Sequence, residues 1–171
     1  MIGVIVPAHD EEALIGRCLD ALHVAARDVA LEGEAVEILV VLDACSDGTG
    51  ALVARHGVER IEIDARNVGI ARGAGARALI DRGARWLAFT DADSEVDPCW
   101  LARQLATCAD AVCGVVSLDD WSGLHAEARA AYEAHYTDIE GHLHVHGANL
   151  GVSTAAYLEA GGFLPLSLIH I

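Results

Sequence analysis

The strongest constraint on the fold is a regular alternation of short apolar runs with longer segments that carry apolar residues at helical spacing. The apolar runs predict strands at residues 2–6, 36–42, 60–63, 86–90 and 111–116. The longer segments predict helices at residues 11–26, 70–82, 98–108 and 119–136, a short helix after residue 50, and another from 153 to 160. Strand–helix alternation of this kind predicts an α/β fold with a mainly parallel sheet flanked by helices.

The length of the chain indicates the number of domains, and its charge argues against some classes of binding partner. A chain of 171 residues suits one domain, which we place at residues 1–171. Eleven basic residues against 26 acidic ones give a net charge of −15, which argues against nucleic acid or an anionic membrane surface as the main partner. The sequence shows no run of about 18 apolar residues and no signal peptide, so we expect no membrane span and a cytoplasmic location.

Polar clusters follow three of the predicted strands. His9, Asp10 and Glu11 follow the first strand, residues 43–47 follow the second, and residues 91–93 follow the fourth. In open parallel sheets, ligands bind outside the carboxyl ends of the strands. The clusters therefore predict a site at that edge.

Asp91 and Asp93 are the strongest metal-ligand candidates. Two carboxylates separated by one residue offer hard oxygen ligands to Mg²⁺ or Mn²⁺, and such an ion can bridge the two phosphates of a nucleotide. The alternative is a solvated loop or a helix cap. Asp43 is a candidate ligand for a base or ribose, whereas Ser46 or Asp47 suits a cap of the following helix.

Several motifs together resemble one enzyme family. They read Val-Ile-Val-Pro-Ala-His-Asp-Glu-Glu at 4–12, Leu-Asp-Ala-Cys-Ser-Asp-Gly-Thr at 42–49, Asn-Val-Gly at 67–69, Asp-Ala-Asp at 91–93, His-Gly-Ala-Asn at 146–149 and Gly-Gly-Phe at 161–163. In this order, over about residues 2 to 163, they resemble the donor-site motifs of family 2 glycosyltransferases.

That resemblance implies a GT-A, Rossmann-like fold and inverting transfer of a sugar from a UDP- or GDP-sugar to an unidentified acceptor, assisted by Mn²⁺ or Mg²⁺. By position it implies a nucleotide-sugar-binding set made of Pro7, Ala8, His9, Glu11, Asp43, Asn67, Arg72, Asp91 and Ala92. It assigns the metal to Asp91 and Asp93, with Asp93 as the principal ligand, and it directs Arg72 toward the diphosphate.

The chain also departs from the family pattern. Ala44 stands where many members carry a second Asp, and residues 72–75 read Arg-Gly-Ala-Gly rather than the common Ala-Arg-Asn. Members place an acidic pair, the source of the catalytic base, shortly after Gly-Gly-Phe, but no acid follows Glu159 here. We therefore assign no base and expect a C-terminally truncated domain. We also expect the apolar residues 163–171 to be exposed or to pack against a partner, such as a second copy of the chain.

Other readings of the sequence remain open. One is a catalytically incomplete domain that binds a nucleoside diphosphate without transferring sugar. A nucleotidyltransferase is disfavoured because no Gly-rich basic loop follows the first strand. A dinucleotide-dependent dehydrogenase is disfavoured because no GxGxxG motif follows that strand. His142, His144 and His146 would share one face of a strand, where we favour an ordinary polar edge over metal or acceptor contacts.

Overall fold

The computed structural model describes residues 1–117 and 145–165. Its strands are β1 Ile2–Ala8, β2 Val36–Asp43, β3 Glu59–Ile63, β4 Trp86–Phe89, β5 Ala111–Cys113 and β6 Leu150–Ser153. Its helices are α1 Ile15–Ala25, α2 Thr49–Arg55, α3 Val68–Asp81, α4 Trp100–Ala106 and α5 Thr154–Glu159, with a 3₁₀ turn at Val29–Leu31. Within these described ranges, no helix is long and apolar enough to cross a membrane.

The six strands form one sheet in the order β3-β2-β1-β4-β6-β5. β1 pairs in parallel with β2 and β4, and β2 pairs in parallel with β3. β6 runs antiparallel to both of its neighbours, β4 and β5. The predicted α/β class with a mainly parallel sheet is confirmed. Because β1, β2 and β4 are adjacent and parallel, the polar clusters that follow them meet at one edge.

The core has two layers, one on each face of the sheet. Along β1, Ile2, Val4 and Val6 pack with α1 on one face, while Ile5 packs with α3 on the other. A side chain on Gly75 would lie 2.6 Å from the Ile5 side chain, so α3 approaches the sheet where only glycine fits. The two apolar layers hold the carboxyl ends of the strands in a fixed arrangement.

The first strand is longer than predicted. The prediction ends at residue 6, yet Pro7 pairs with Val41 and β1 continues to Ala8. The backbone groups of Pro7 point to the same side of β1 as those of Ile5, two residues earlier. The Ile5 carbonyl faces β4 and accepts the Thr90 amide, so the Pro7 nitrogen also faces β4. The β1–β4 ladder ends at Ile5, so the missing proline N–H interrupts no ladder bond.

The first helix begins later than predicted, at Ile15 rather than residue 11. The amides of Glu11 and Glu12 donate to Thr49 Oγ1 and Asp47 Oδ2, at 2.8 and 3.0 Å. Residues 11–14 therefore form a turn held by the neighbouring loop rather than the first turn of the helix.

The remaining described elements follow the predicted order, and some of their bounds differ by a few residues. α4 begins at Trp100 instead of residue 98, and β5 ends at Cys113 instead of residue 116. The Ser153 hydroxyl accepts the Ala156 amide at 3.2 Å, as expected of a helix cap. The predicted helix at 119–136, as well as His142 and His144, lies outside the described residues.

Candidate functional site

A cavity of about 410 Å³ opens at the carboxyl ends of β1, β2 and β4. It is lined by Pro7, Ala8, His9, Glu11, Asp43, Arg66, Asn67, Val68, Ala71, Asp91, Ala92 and Asp93. The structure thus brings together every residue proposed from the sequence for donor or metal binding except Arg72. This size and placement suit a small-molecule site at the edge of an α/β sheet.

Asp43 shapes one wall of the cavity with its own carboxylate. This side chain is buried and accepts the amides of Ala65, Arg66 and Asn67 at 2.7, 2.8 and 2.7 Å. Three charge-assisted bonds of this kind fix the loop between β3 and α3, in which Arg66 has a φ of 48°. Two of the bonds share Oδ1 and one uses Oδ2, so part of the acceptor capacity of Oδ2 remains for a ligand.

His9 stands at the mouth of the cavity. Its Nδ1 lies 2.6 Å from the carbonyl oxygen of Asp43, which can only accept, so Nδ1 carries the proton. The imidazole is more than half exposed. The bond therefore fixes the orientation of a ring that still presents a face to solvent.

Two loops beside the cavity are joined by reciprocal bonds between carboxylates and amides. Asp10 accepts the amides of Ser46 and Asp47, and these bonds lower the pKa of the Asp10 carboxyl. Glu12 accepts the Gly48 amide at 2.9 Å. Asp47 accepts the hydroxyl and the amide of Thr49, and these bonds lower its pKa as well. The N-cap residue of α2 is Gly48, so the predicted cap by Ser46 or Asp47 is wrong: Asp47 precedes the N-cap and accepts the Thr49 amide from there, while the Ser46 hydroxyl turns toward Asp10.

Asn67 begins α3. Its side-chain oxygen accepts the Ile70 amide at 3.1 Å, as in an N-cap. The side-chain NH₂ group makes no hydrogen bond to the described part of the chain. Asn67 therefore combines a structural role at the helix start with a donor group beside the cavity.

Asp91 is held from behind by Arg72. The guanidinium Nη2 lies 2.5 Å from Asp91 Oδ1, and Arg72 is 6% exposed whereas the Asp91 side chain is 27% exposed. Asp91 lines the cavity, whereas Arg72 does not. The sequence-based assignment of Arg72 to the diphosphate stays a prediction, because the geometry shows only its bond to Asp91.

Asp93 is the most exposed carboxylate among the residues that line the cavity. It is exposed, and its one hydrogen bond to the described residues comes from the Ser94 hydroxyl at 3.3 Å. Burial, followed by the charges of Asp93, Asp47 and Asp91, raises the pKa of Glu11. The cavity therefore concentrates negative charge that a cation would relieve.

The donor set fits a divalent metal that is shared with a ligand. Within residues 1–117 and 145–165, no three His, Cys, Asp or Glu side chains are grouped to hold a metal alone. Mg²⁺ in nucleotide sites is usually held by one or two carboxylates together with substrate phosphates. Asp93 and Asp91 can supply that smaller set of oxygens.

The family model for glycosyl transferase family 2 matches residues 3–144, which is most of the chain. The chain belongs to this family. It is also 33% identical over 130 residues to the succinoglycan biosynthesis protein ExoO of Rhizobium meliloti. That match covers 74% of the chain but 34% of the relative, so the chain spans about a third of this curated protein.

Solved structures of GT-A enzymes share the fold. The chain superposes with a TM-score of 0.69 and 25% identity on the mannosyltransferase PcManGT from Pyrobaculum calidifontis, solved in complex with GDP-Man and Mn²⁺. It superposes equally well, at 17% identity, on S. aureus TarS 1-349 in complex with UDP. These matches cover 96% of the chain and 47% and 50% of the two structures, so it spans about half of each.

The structure adds cavity residues that sequence reasoning missed. Arg66, Val68 and Ala71 line the cavity. Their closeness in sequence to the Asn-Val-Gly motif at 67–69 is the feature that could have indicated them. Two thiols also support the wall: Cys18 Sγ donates to the Asp91 carbonyl at 3.4 Å, and Cys45 Sγ to the Ala8 carbonyl at 3.3 Å. Burial raises the pKa of Cys18 to about 12, so it remains a thiol.

Proposed function

We propose that the chain binds a nucleoside diphosphate sugar in this cavity and transfers the sugar to an acceptor with help from Mn²⁺ or Mg²⁺. The observation that carries the proposal is the contrast within residues 91–93: Asp91 is paired with Arg72, while Asp93 is exposed beside it in the same cavity. The family membership and the printed ligands of the two structural neighbours support a UDP- or GDP-sugar as the donor.

The nucleoside occupies the part of the cavity between Pro7 and Asn67. The orientation of the His9 ring suits a stacking contact with a base, and Asp43 keeps acceptor capacity for a base or ribose. The side-chain NH₂ of Asn67, which has no partner among residues 1–117 and 145–165, and the exposed guanidinium of Arg66 can donate hydrogen bonds to phosphate or ribose oxygens.

The diphosphate lies next to Asp91 and Asp93. A divalent metal held there would offset the charge that develops on the departing diphosphate. Asp93 is its principal protein ligand, and Asp91 faces the ribose or the metal. Direct displacement at the anomeric carbon inverts its configuration and needs a base that removes the proton of the acceptor hydroxyl. We assign that role to no residue of this sequence.

A second candidate function is donor binding without transfer. It needs only the donor and metal residues that line the cavity, and it needs no base. Such a domain would bind the donor here and depend on further polypeptide for transfer. The cytoplasmic location and the oligomer through residues 163–171 stay predictions, and residues 166–171 lie outside the described part.

Calorimetric titration of the chain with UDP, GDP and their sugars, first with Mn²⁺ and then with EDTA, tests donor binding. We expect one nucleotide to bind in a metal-dependent way. Asp93→Asn should weaken that binding at least about tenfold, because one metal–carboxylate bond is lost, and should leave the melting temperature unchanged. Release of free nucleotide from the bound sugar, with and without candidate acceptors, separates transfer from binding alone.

Glu95→Gln is the matched control, since it removes one negative charge two residues away on an exposed side chain that pairs with Arg17. It should bind nucleotide like the unmodified chain. Equal metal-dependent affinities for Asp93→Asn and the unmodified chain would contradict the metal assignment. Failure of the unmodified chain to bind any of the nucleotides would contradict the proposed function.

A further inference from the structure

Arg72 is the one guanidinium that is buried among the described residues, and it contacts three separate parts of the chain. It projects from α3 to the carboxylate of Asp91 at the end of β4. Its guanidinium carbon lies 5.8 Å from the ring centre of Phe163, within cation–π range. It also packs directly against Gly147.

Two glycine motifs of the sequence form the surroundings of this guanidinium. A side chain at Gly147 would overlap the guanidinium atoms of Arg72. Gly161 and Gly162 have φ values of 83° and 76°, a backbone that other residues rarely adopt, and they turn the chain so that Phe163 reaches Arg72. The motifs at 146–149 and 161–163, which the proposed function leaves unexplained, meet at one side chain.

Folding alone does not account for an arginine here. Burial of a guanidinium is costly, and the Nε atom of Arg72 is buried with no hydrogen-bond partner. Apolar residues of similar volume often replace buried charged groups with no loss of stability. The charge is therefore best explained by what it does to Asp91, whose second carboxylate oxygen has no partner among the described residues.

We propose that Arg72 is a positioning residue that gives Asp91 and Asp93 different tasks. Its bond to Oδ1 neutralises and orients Asp91, so that this carboxylate faces the donor and binds the cation less strongly than Asp93 does. Asp93, with no cationic partner in the described chain, is left as the metal carboxylate. The inference rests on the proposed function, but its main test uses Mn²⁺ alone and needs neither nucleotide nor acceptor.

The test is a titration of the nucleotide-free chain with Mn²⁺, in which electron paramagnetic resonance measures the free ion. Arg72→Met removes the charge at similar volume and frees Asp91 beside Asp93. We expect it to bind Mn²⁺ roughly three- to tenfold more tightly than the unmodified chain. Arg72→Lys, which retains a charge near Asp91, should fall between the two. Melting curves establish that the variants remain folded.

The double variant Arg72→Met/Asp91→Asn separates positioning from a general field effect. If Arg72 acts through Asp91, this double variant should bind Mn²⁺ no more tightly than Asp91→Asn alone. A gain that persists in the double variant would show that Arg72 merely repels cations, and would overturn the proposal. Equal Mn²⁺ affinity of Arg72→Met and the unmodified chain, including no measurable binding by either, would overturn it too.

Nucleotide binding provides a second readout. At saturating Mn²⁺, Arg72→Met should weaken binding of the preferred nucleotide about tenfold while metal affinity rises, because Asp91 has lost its orientation. A purely structural role would lower both affinities together. If the unmodified chain binds Mn²⁺ but no nucleotide, the proposed function fails, while the Mn²⁺ titrations still decide the role of Arg72.

Discussion

The acidic residues in and beside the cavity form two groups, and the two groups are stabilised in different ways. We call the loops that follow β1, β2 and β3 the amide wall, because Asp10, Asp43 and Asp47 there accept backbone amides of neighbouring loops. We call residues 91–94 together with Arg72 the ion-pair wall. There Asp91 is bound by a guanidinium, whereas Asp93 is bound, among the described residues, only by the Ser94 hydroxyl.

The difference separates acids that build the cavity from acids that remain for a ligand. On the amide wall, negative charge is stabilised by fixed N–H groups, so this wall is preformed without any ligand. On the ion-pair wall, one negative charge has a cationic partner and the other does not. An acidic cluster in the sequence therefore does not by itself identify metal ligands, because most of its members serve the backbone.

The sharpest test of the amide wall is Asp43→Ala. It leaves three amides without their acceptor, so the free energy of unfolding should fall by about 2–4 kcal/mol. Urea unfolding followed by circular dichroism measures the change. Asp64→Ala removes an exposed carboxylate from the same loop and should change stability by less than about 0.5 kcal/mol. Equal stabilities of these two variants would mean that the Asp43 bonds do not hold the wall.

Much of the amide wall could be predicted from the sequence. Apolar periodicity gives the order of strands and helices, and parallel strands bring their carboxyl ends to one edge. These two features of the sequence predict that Asp43 and His9 lie at the carboxyl edge of the sheet, where the cavity is found. What periodicity cannot show is which atoms a carboxylate meets. The acids at 11 and 12 suggested the first turn of a helix, but their amides bind Thr49 and Asp47 instead.

The ion-pair wall was less predictable, because it depends on contacts between distant parts of the chain. Arg72 was directed to the diphosphate by its place after Asn67. Its burial requires the space at Gly147 and the ring of Phe163, which follow far along the chain. No local pattern indicates that these three residues meet, and only the packed structure shows that Asp91 has a cationic partner.

A smaller effect is expected from Gly147→Ala, which tests the ion-pair wall. The added methyl group would overlap the guanidinium of Arg72 and push it from Asp91, so stability should fall by about 1–2 kcal/mol. Gly73→Ala is the control, because a methyl group there, on the same helix as Arg72, meets no atom within 4 Å. It should stabilise the protein by up to about 1 kcal/mol. Thermal unfolding of both variants gives the comparison, and a neutral Gly147→Ala would argue against close packing around Arg72.

The smallest effect concerns Glu11, which belongs to the amide wall but lies in the field of the ion-pair wall. Its pKa is raised, first by burial and then by Asp93, Asp47 and Asp91. A carboxyl whose pKa is higher in the folded chain than in the unfolded chain destabilises the fold when it is ionised. That penalty is complete above the folded pKa and disappears as the pH falls below the unfolded value.

Glu11→Gln should therefore stabilise the protein slightly at pH 7, by about a few tenths of a kcal/mol, because solvent still reaches this partly buried carboxylate and screens its charge. The difference should vanish near pH 3, where the carboxyl is protonated in both states. Urea unfolding at the two pH values measures it. If Mn²⁺ collects at Asp93, the ion should also shrink the difference at pH 7, since it cancels part of the field that Glu11 experiences. A difference that Mn²⁺ leaves unchanged at pH 7 would mean that the two walls do not share one electrostatic site.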